Sequence, residues 1–108
     1  MTDIKIDVAD KVALVTIDRP PVNALLLATY REIAEAFGAL GARDDVNVAI
    51  LTGAGTRAFC AGLDLSELTE RDAVEGVMHS RMWHQALDKV QFGKVPVIAA
   101  LQGAVIGG

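Results

Sequence analysis

One cysteine, three prolines, two histidines, one tryptophan and one tyrosine are all that this chain of 108 residues holds of several informative residue types. The lone Cys60 closes no intrachain disulfide, which points to a reducing compartment. The basic residues number 10 against 14 acidic ones, for a net charge of -4, and they gather in no run. A groove for polynucleotide needs such a basic footprint, so a nucleic-acid partner is not expected. The opening MTDIKIDVADK is broken by acids and holds no apolar stretch of about seven residues, which excludes a secretory signal. Nowhere does an uncharged run approach the ~18 residues of a membrane span, so no membrane partner is expected. A cytoplasmic location follows as the expectation. No spacing of His, Cys, Asp and Glu suits a metal ion, so the expected metal set is none.

What the chain has is apolar mass and glycine. Hydrophobic residues make up 52% of it, too many for a disordered chain of so low a net charge, and the length allows at most one domain. Ten glycines in such a chain need a reason. Ile4, Ile6 and Val8 alternate with Lys5 and Asp7 as in a half-buried strand, Val12 to Ile17 form a second β-branched run, and Asp10-Lys11 between them suits a tight hairpin. Pro20 and Pro21 withhold two amide donors and force a loop that leads into Val22-Asn23-Ala24.

From Leu26 the period becomes helical: Leu26, Leu27, Tyr30, Ile33, Ala34, Phe37 and Leu40 share a face, with Gly41 as the stop. Val46 to Thr52 reads as a buried strand. A second helix is expected from about Asp72 to Val90, burying Val74, Val77, Met78, Ala86, Leu87 and Val90, and Val97 to Leu101 reads as another buried strand. Strand, helix, strand is the grammar of a sheet with crossover helices.

Two glycine-bearing segments each follow a buried strand, 53–62 (GAGTRAFCAG) and 103–108 (GAVIGG). In open α/β sheets ligands bind beyond the carboxyl ends of strands, where loops present free amides. Tight turns alone are one reading of these glycines. Gly53-x-Gly55-x-x-Ala58 also fits the dinucleotide fingerprint, but Phe59-Cys60-Ala61-Gly62 starts a helix poorly, and the acid expected about 20 residues on would be Glu75, inside a helical pattern. Gly103 to Gly108 has the glycine spacing of a P-loop without its Lys and Ser/Thr.

The blocks IDRPPVNAL, ILTGAGTRAFCAGLDL and KVPVIAALQGAVIGG, in that order and spacing, resemble the crotonase superfamily of enoyl-CoA hydratases and isomerases. The resemblance covers essentially the whole chain. It departs from the family pattern in the Val95 that separates Lys94 from Pro96, and in the third glycine of the last triplet. It implies an α/β fold of the crotonase-like (ClpP/crotonase) type, a spiral of repeated ββα units, with residues 1–108 the N-terminal part of a single domain. It implies that the full-length protein is a homotrimer or hexamer, and that the catalytic C-terminal continuation lies beyond this chain.

The resemblance also gives the glycine loops a role. Enzymes of this family build negative charge on a thioester oxygen, and two backbone amides stabilise it. By motif position those amides are Ala61 and Gly108, the latter near a helix N-terminus that favours an anion. Backbone of Ala24, Ala61, Gly62, Leu63, Asp64 and Gly108 is implied to meet substrate and CoA. The substrate, an acyl-CoA thioester, carries the coenzyme A, and no bound cofactor is expected. Arg19 and Arg57 are placed to face CoA phosphates or solvent, Asn23 to hold its own loop, and Asp64 to cap a short helix near Leu65. His84 and His79 read first as ordinary helical histidines and second as a base lining the acyl pocket, Met78, Met82 and Trp83 read as core or acyl-pocket wall, and nothing near Cys60 lowers its pKa to make a nucleophile.

The two acid-base glutamates of the hydratases would fall after Gly108, and Glu67, Glu70 and Glu75 do not match their positions. The implied activity is hydration of a 2-enoyl-CoA in fatty acid metabolism. Its alternatives are an enoyl-CoA Δ-isomerase or another crotonase reaction, and, from a different class, a non-catalytic CoA-binding or assembly fragment. The 108-residue chain by itself is expected to be inactive.

Overall fold

A computed structural model describes residues 2–68 and 73–107, leaving out the side chains of 67, 68 and 73–75. Strands β1 (Ile4–Ala9) and β2 (Val12–Ile17) form an antiparallel hairpin. Asp10 and Lys11 turn it with φ of 53° and 65°, the left-handed pair whose twist matches that of the flanking strands. The chain then makes a short strand β3 (Ala24–Leu25) and helix α1 (Leu27–Gly41). The Thr29 hydroxyl closes the start of α1 by accepting the Leu26 N–H at 3.2 Å.

Strand β4 (Val48–Gly53) returns parallel to β2, with Val12 opposite Val48 and Ile17 opposite Gly53. Two short strands, β5 (Ala58–Cys60) and β6 (Gly62–Leu63), and a 3-10 turn at Leu65–Leu68 precede α2 (Ala73–Phe92). Strands β7 (Val97–Ala99) and β8 (Ala104–Val105) follow. The main sheet runs β1-β2-β4-β7, and its three later strands are parallel, as crossover connections require. Two further parallel pairs, β3 with β6 and β5 with β8, join the loops beyond it.

The core lies between one face of this sheet and the two helices. Ala13, Val15, Ile17 and Ala49 meet Tyr30, Ile33, Phe37 and Leu40 of α1 and Ala86 of α2, all buried. Each large side chain removed from water there contributes about 1.5–3 kcal/mol before chain entropy is set against it.

Three expectations from the sequence need correction. The inward face of α2 is His79, Trp83, Ala86 and Val90, whereas Val77 and Met78 point to solvent at 53% and 61% exposure. The registry of α2 is set by where it crosses α1, and His79 fits against the Tyr30 ring there. Strands β4 and β7 are not buried on both faces. Leu14, Ile50 and Ile98 lie in one row across the sheet, with Leu14 and Ile98 exposed, because among the described residues the helices cover only the other face. Strands β5, β6 and β8 were not expected, since two- or three-residue strands leave no period to read.

Candidate functional site

The loop that leaves β2 is fastened by Asn23, which is 2% exposed and sits at φ 57°. Asn tolerates this left-handed region better than other residues with a Cβ. Its Oδ1 accepts the Arg19 N–H at 2.9 Å, which holds its own loop as expected. Its Nδ2 reaches farther, donating to the carbonyls of Ala58 at 2.9 Å, Ala54 at 3.1 Å and Phe59 at 3.3 Å. The Asn23 carbonyl in turn accepts the Ala61 N–H at 3.3 Å. One side chain thus ties the first loop to the 53–62 segment.

Arg19 makes a second tie. Its Nη1 donates to the Ala24 carbonyl at 2.8 Å and to Asp64 Oδ2 at 2.7 Å, and its Nε lies 3.8 Å from Asp3 Oδ2. Arg19 is therefore held by carboxylates of its own chain, with its side chain 27% exposed. Asp64 caps the 3-10 turn as expected, accepting the Ser66 N–H at 3.0 Å and the Ser66 hydroxyl at 2.8 Å. The Ser66 hydroxyl, then its amide, then Arg19 lower the Asp64 carboxyl from 3.8 to about 2.

A carboxyl whose pKa is lowered by folding adds stability above its unfolded pKa and loses it as pH falls toward the folded one. The stability gap between the wild type and Asp64→Asn is therefore expected to be constant above about pH 5 and to close between 3.8 and about 2. Urea unfolding across that range checks it. A gap that does not change with pH would show that Asp64 is not held as a carboxylate.

The 53–62 segment and the 103–107 segment approach until only glycine fits. A Cβ on Gly53 would stand 2.9 Å from Asn23 Nδ2 and against the Phe59 carbonyl, and one on Gly103, at φ 59°, would strike the Arg57 carbonyl. Gly62 and Gly107 face each other at φ 86° and 73°. A Cβ on Gly107 would lie 2.9 Å from Gly62 Cα, and one on Gly62 would lie 3.1 Å from the Ile106 carbonyl. The Ala104 N–H bonds to the Arg57 carbonyl at 3.1 Å and the Ile106 N–H to the Cys60 carbonyl at 3.0 Å, which fixes the approach. Gln102 adds a side-chain tie, donating to the Gly53 carbonyl.

Ala24, Ala61, Gly62, Leu63 and Asp64 are brought together here: Ala24 pairs with Gly62, Leu25 with Leu63, and the Asp64 N–H bonds to the Leu25 carbonyl at 2.9 Å. Gly108 and Glu70 lie outside the described residues, as do the side chains of Glu67 and Glu75. The Ala61 amide is engaged with Asn23, though at 3.3 Å the bond is long for N–H···O. Burial pushes the Cys60 thiol up, against the Gly62 N–H that donates to its sulfur at 3.3 Å, so it is a packing residue and not a nucleophile. Arg57 is exposed.

An open cleft of about 360 Å³ adjoins the Gly62–Gly107 contact, with Leu63 and Gly107 in its lining together with Tyr30 of α1 and His79 and Trp83 of α2. The sequence reads Trp83 as core or acyl-pocket wall and His79 second as a pocket base, and both line this cleft; the lining from Tyr30, Gly76 and Ser80 was not expected, because it depends on how α2 is rotated. Sequence reasoning also missed the reach of Asn23 to the second loop, for which an Asn after two prolines is the only local signal. No group of side chains among the described residues suits a metal ion.

Comparison with known proteins places this geometry. A family model for enoyl-CoA hydratase/isomerase matches residues 7–108. Short-chain-enoyl-CoA hydratase of Clostridium acetobutylicum is 35% identical over 109 residues, covering 100% of this chain and 42% of that protein. Probable enoyl-CoA hydratase EchA17 of Mycobacterium tuberculosis is 40% identical over 95 residues, 88% of this chain and 36% of its own length. Among solved structures, an enoyl-CoA hydratase/carnithine racemase from Magnetospirillum magneticum superposes with a TM-score of 0.92 at 39% identity, over 99% of this chain and 41% of that one. Enoyl-CoA hydratase from Bacillus anthracis superposes with a TM-score of 0.87 at 32% identity, over 94% and 40%. The chain spans about two fifths of the length of these relatives, and the hairpin, the crossover sheet and the two joined loops are the N-terminal part of their fold. A sequence pattern in three ordered blocks, a superposable backbone and a family match over nearly every residue agree that this chain belongs to the enoyl-CoA hydratase/isomerase family.

Proposed function

We propose that the full-length protein is an enoyl-CoA hydratase, and that this chain supplies much of its CoA site and its oxyanion hole. The observation that carries the reading is the glycine-only contact of Gly62 with Gly107, which sets two amide-bearing loops side by side next to a cleft. Such an arrangement suits a reaction whose charge develops on one oxygen, because backbone donors fixed by packing need no reorganisation when the charge appears. Water adds to the β-carbon of the enoyl group, the thioester becomes enolate-like, and its oxygen is met by the amides of Ala61 and Gly108. Ala61 then exchanges its long bond to the Asn23 carbonyl for the stronger one to an oxyanion. The backbone of Ala24 and of 61–64 lies along the CoA portion, and the acid-base glutamates come from the continuation of the chain. The full-length protein is read as a cytosolic homotrimer or hexamer working on fatty acyl groups.

Incubation of the full-length protein with crotonyl-CoA, followed by mass analysis, tests this reaction. A product heavier by one water is expected, and the absence of that product in a folded protein overturns the hydratase reading. Ala61→Pro removes the proposed donor and keeps the residue small. Turnover is expected to fall by about 10²–10³, the cost of one oxyanion donor. Should the folded variant lose only stability and keep its kcat, the Ala61 amide serves Asn23 alone.

A further inference from the structure

The cleft beside the two glycine loops has one wall that the proposed reaction does not explain. Gly76, Ser80 and Trp83 follow one face of α2, with His79 beside them, and all four line the cleft opposite Tyr30. The rings of Tyr30 and His79 stand edge to face, with centroids 5.8 Å apart at 87°. Gly76 lies in the first turn of the 20-residue α2, where a glycine lowers helix propensity without capping an end. Its backbone takes no positive φ, and a Cβ placed on it meets no atom within 4 Å. Among the described residues neither the turn of the helix nor its packing calls for glycine at this position. What glycine does there is leave the cleft wall open beside three rings.

We infer that Gly76 determines acyl specificity, and that the cleft takes an acyl group carrying a planar aryl substituent, packed against Tyr30, His79 and Trp83. Edge-to-face packing rewards a ring beyond the area it buries, and a short straight chain gains nothing from it. Pockets that are mainly apolar with a few polar groups in their lining, as His79 and Ser80 are here, bind such groups with a fixed orientation. The inference rests on the acyl-CoA reading of the site and names the substrate class that reading left open.

The test uses binding, so that it does not depend on which reaction the enzyme performs. Affinities of butyryl-CoA and 3-phenylpropionyl-CoA for the full-length protein are measured by calorimetry in the wild type, Gly76→Ala, Gly76→Leu and Gly38→Leu. Gly38 lies on α1, outside the cleft lining, and a Cβ there also meets no atom within 4 Å, so it controls for a leucine replacing a helical glycine. The wild type is expected to prefer the phenyl compound. Gly76→Leu is expected to lower that preference about tenfold or more, Gly76→Ala by less, and Gly38→Leu not at all. A preference untouched by Gly76→Leu, or altered as much by Gly38→Leu, overturns the inference while the acyl-CoA reading stands. Failure of the wild type to bind butyryl-CoA overturns that reading and takes this inference with it.

Discussion

Replacing Asn23 by Ala is expected to lower the unfolding free energy by about 2–5 kcal/mol, a loss in the upper part of the range for single substitutions. Two costs add. The side chain satisfies the carbonyls of Ala54, Ala58 and Phe59 and the Arg19 N–H, and the Ala58 bond is fully buried. Leaving a buried group unsatisfied costs about 1–3 kcal/mol, and water reaches only part of this cluster. The backbone adds about 1–2 kcal/mol, because alanine at φ 57° sets its Cβ against the following carbonyl oxygen without the local bonds that reconcile Asn to that conformation. Asn23→Gly separates the costs, since glycine adopts the same φ freely. Urea midpoints should therefore fall in the order wild type, Asn23→Gly, Asn23→Ala, with the second gap worth about 1–2 kcal/mol. Equal loss in both variants would mean that the left-handed backbone costs nothing here, and loss in neither would mean that the loops are held by something other than Asn23.

This position also shows how much of the site could be read in the sequence. The Asp10-Lys11 hairpin, α1 and the two parallel crossovers were legible because each is coded locally, by alternation, by helical period or by a turn pair. The ties between loops are coded in pairs of residues 31 to 49 positions apart, such as Asn23 with Ala54 and Gln102 with Gly53, and no local pattern announces them. Asn23 was legible as a loop holder, but which loop it held was not. The glycines were legible as a group. Their division was not: Gly55 turns in open space at φ 79°, while Gly62 and Gly107 stand against each other. The face of α2 was misread for a related reason. Ala86 is buried as expected, and Val77 and Met78 are as apolar as a core face requires, but the crossing with α1 turns His79 and Trp83 inward in their place. Burial at that position follows from the neighbour, not from the hydropathy of the segment.

Gly107→Ala is expected to cost the reaction heavily in turnover. Its Cβ would stand 2.9 Å from the Gly62 Cα, a backbone atom that no rotamer change can move aside. The two loops must separate by several tenths of an ångström, and the amides they carry separate with them. A donor displaced on that scale loses most of its grip on a developing charge, and misplacement approaching 1 Å costs about 10²-fold in rate. Turnover of the full-length enzyme on its acyl-CoA is thus expected to fall by up to about 10², with the far-ultraviolet circular dichroism unchanged. Gly55→Ala is the matched comparison. Gly55 has φ 79°, close to the 73° of Gly107, but a Cβ there meets nothing within 4 Å. It bears the same conformational penalty of about 1–2 kcal/mol in stability without moving one loop against the other. If the two variants lose turnover alike, strain alone accounts for the loss. If Gly55→Ala keeps its turnover while Gly107→Ala does not, the distance between the loops is what the reaction requires, and the glycine pair provides close approach of the loops rather than freedom for a turn.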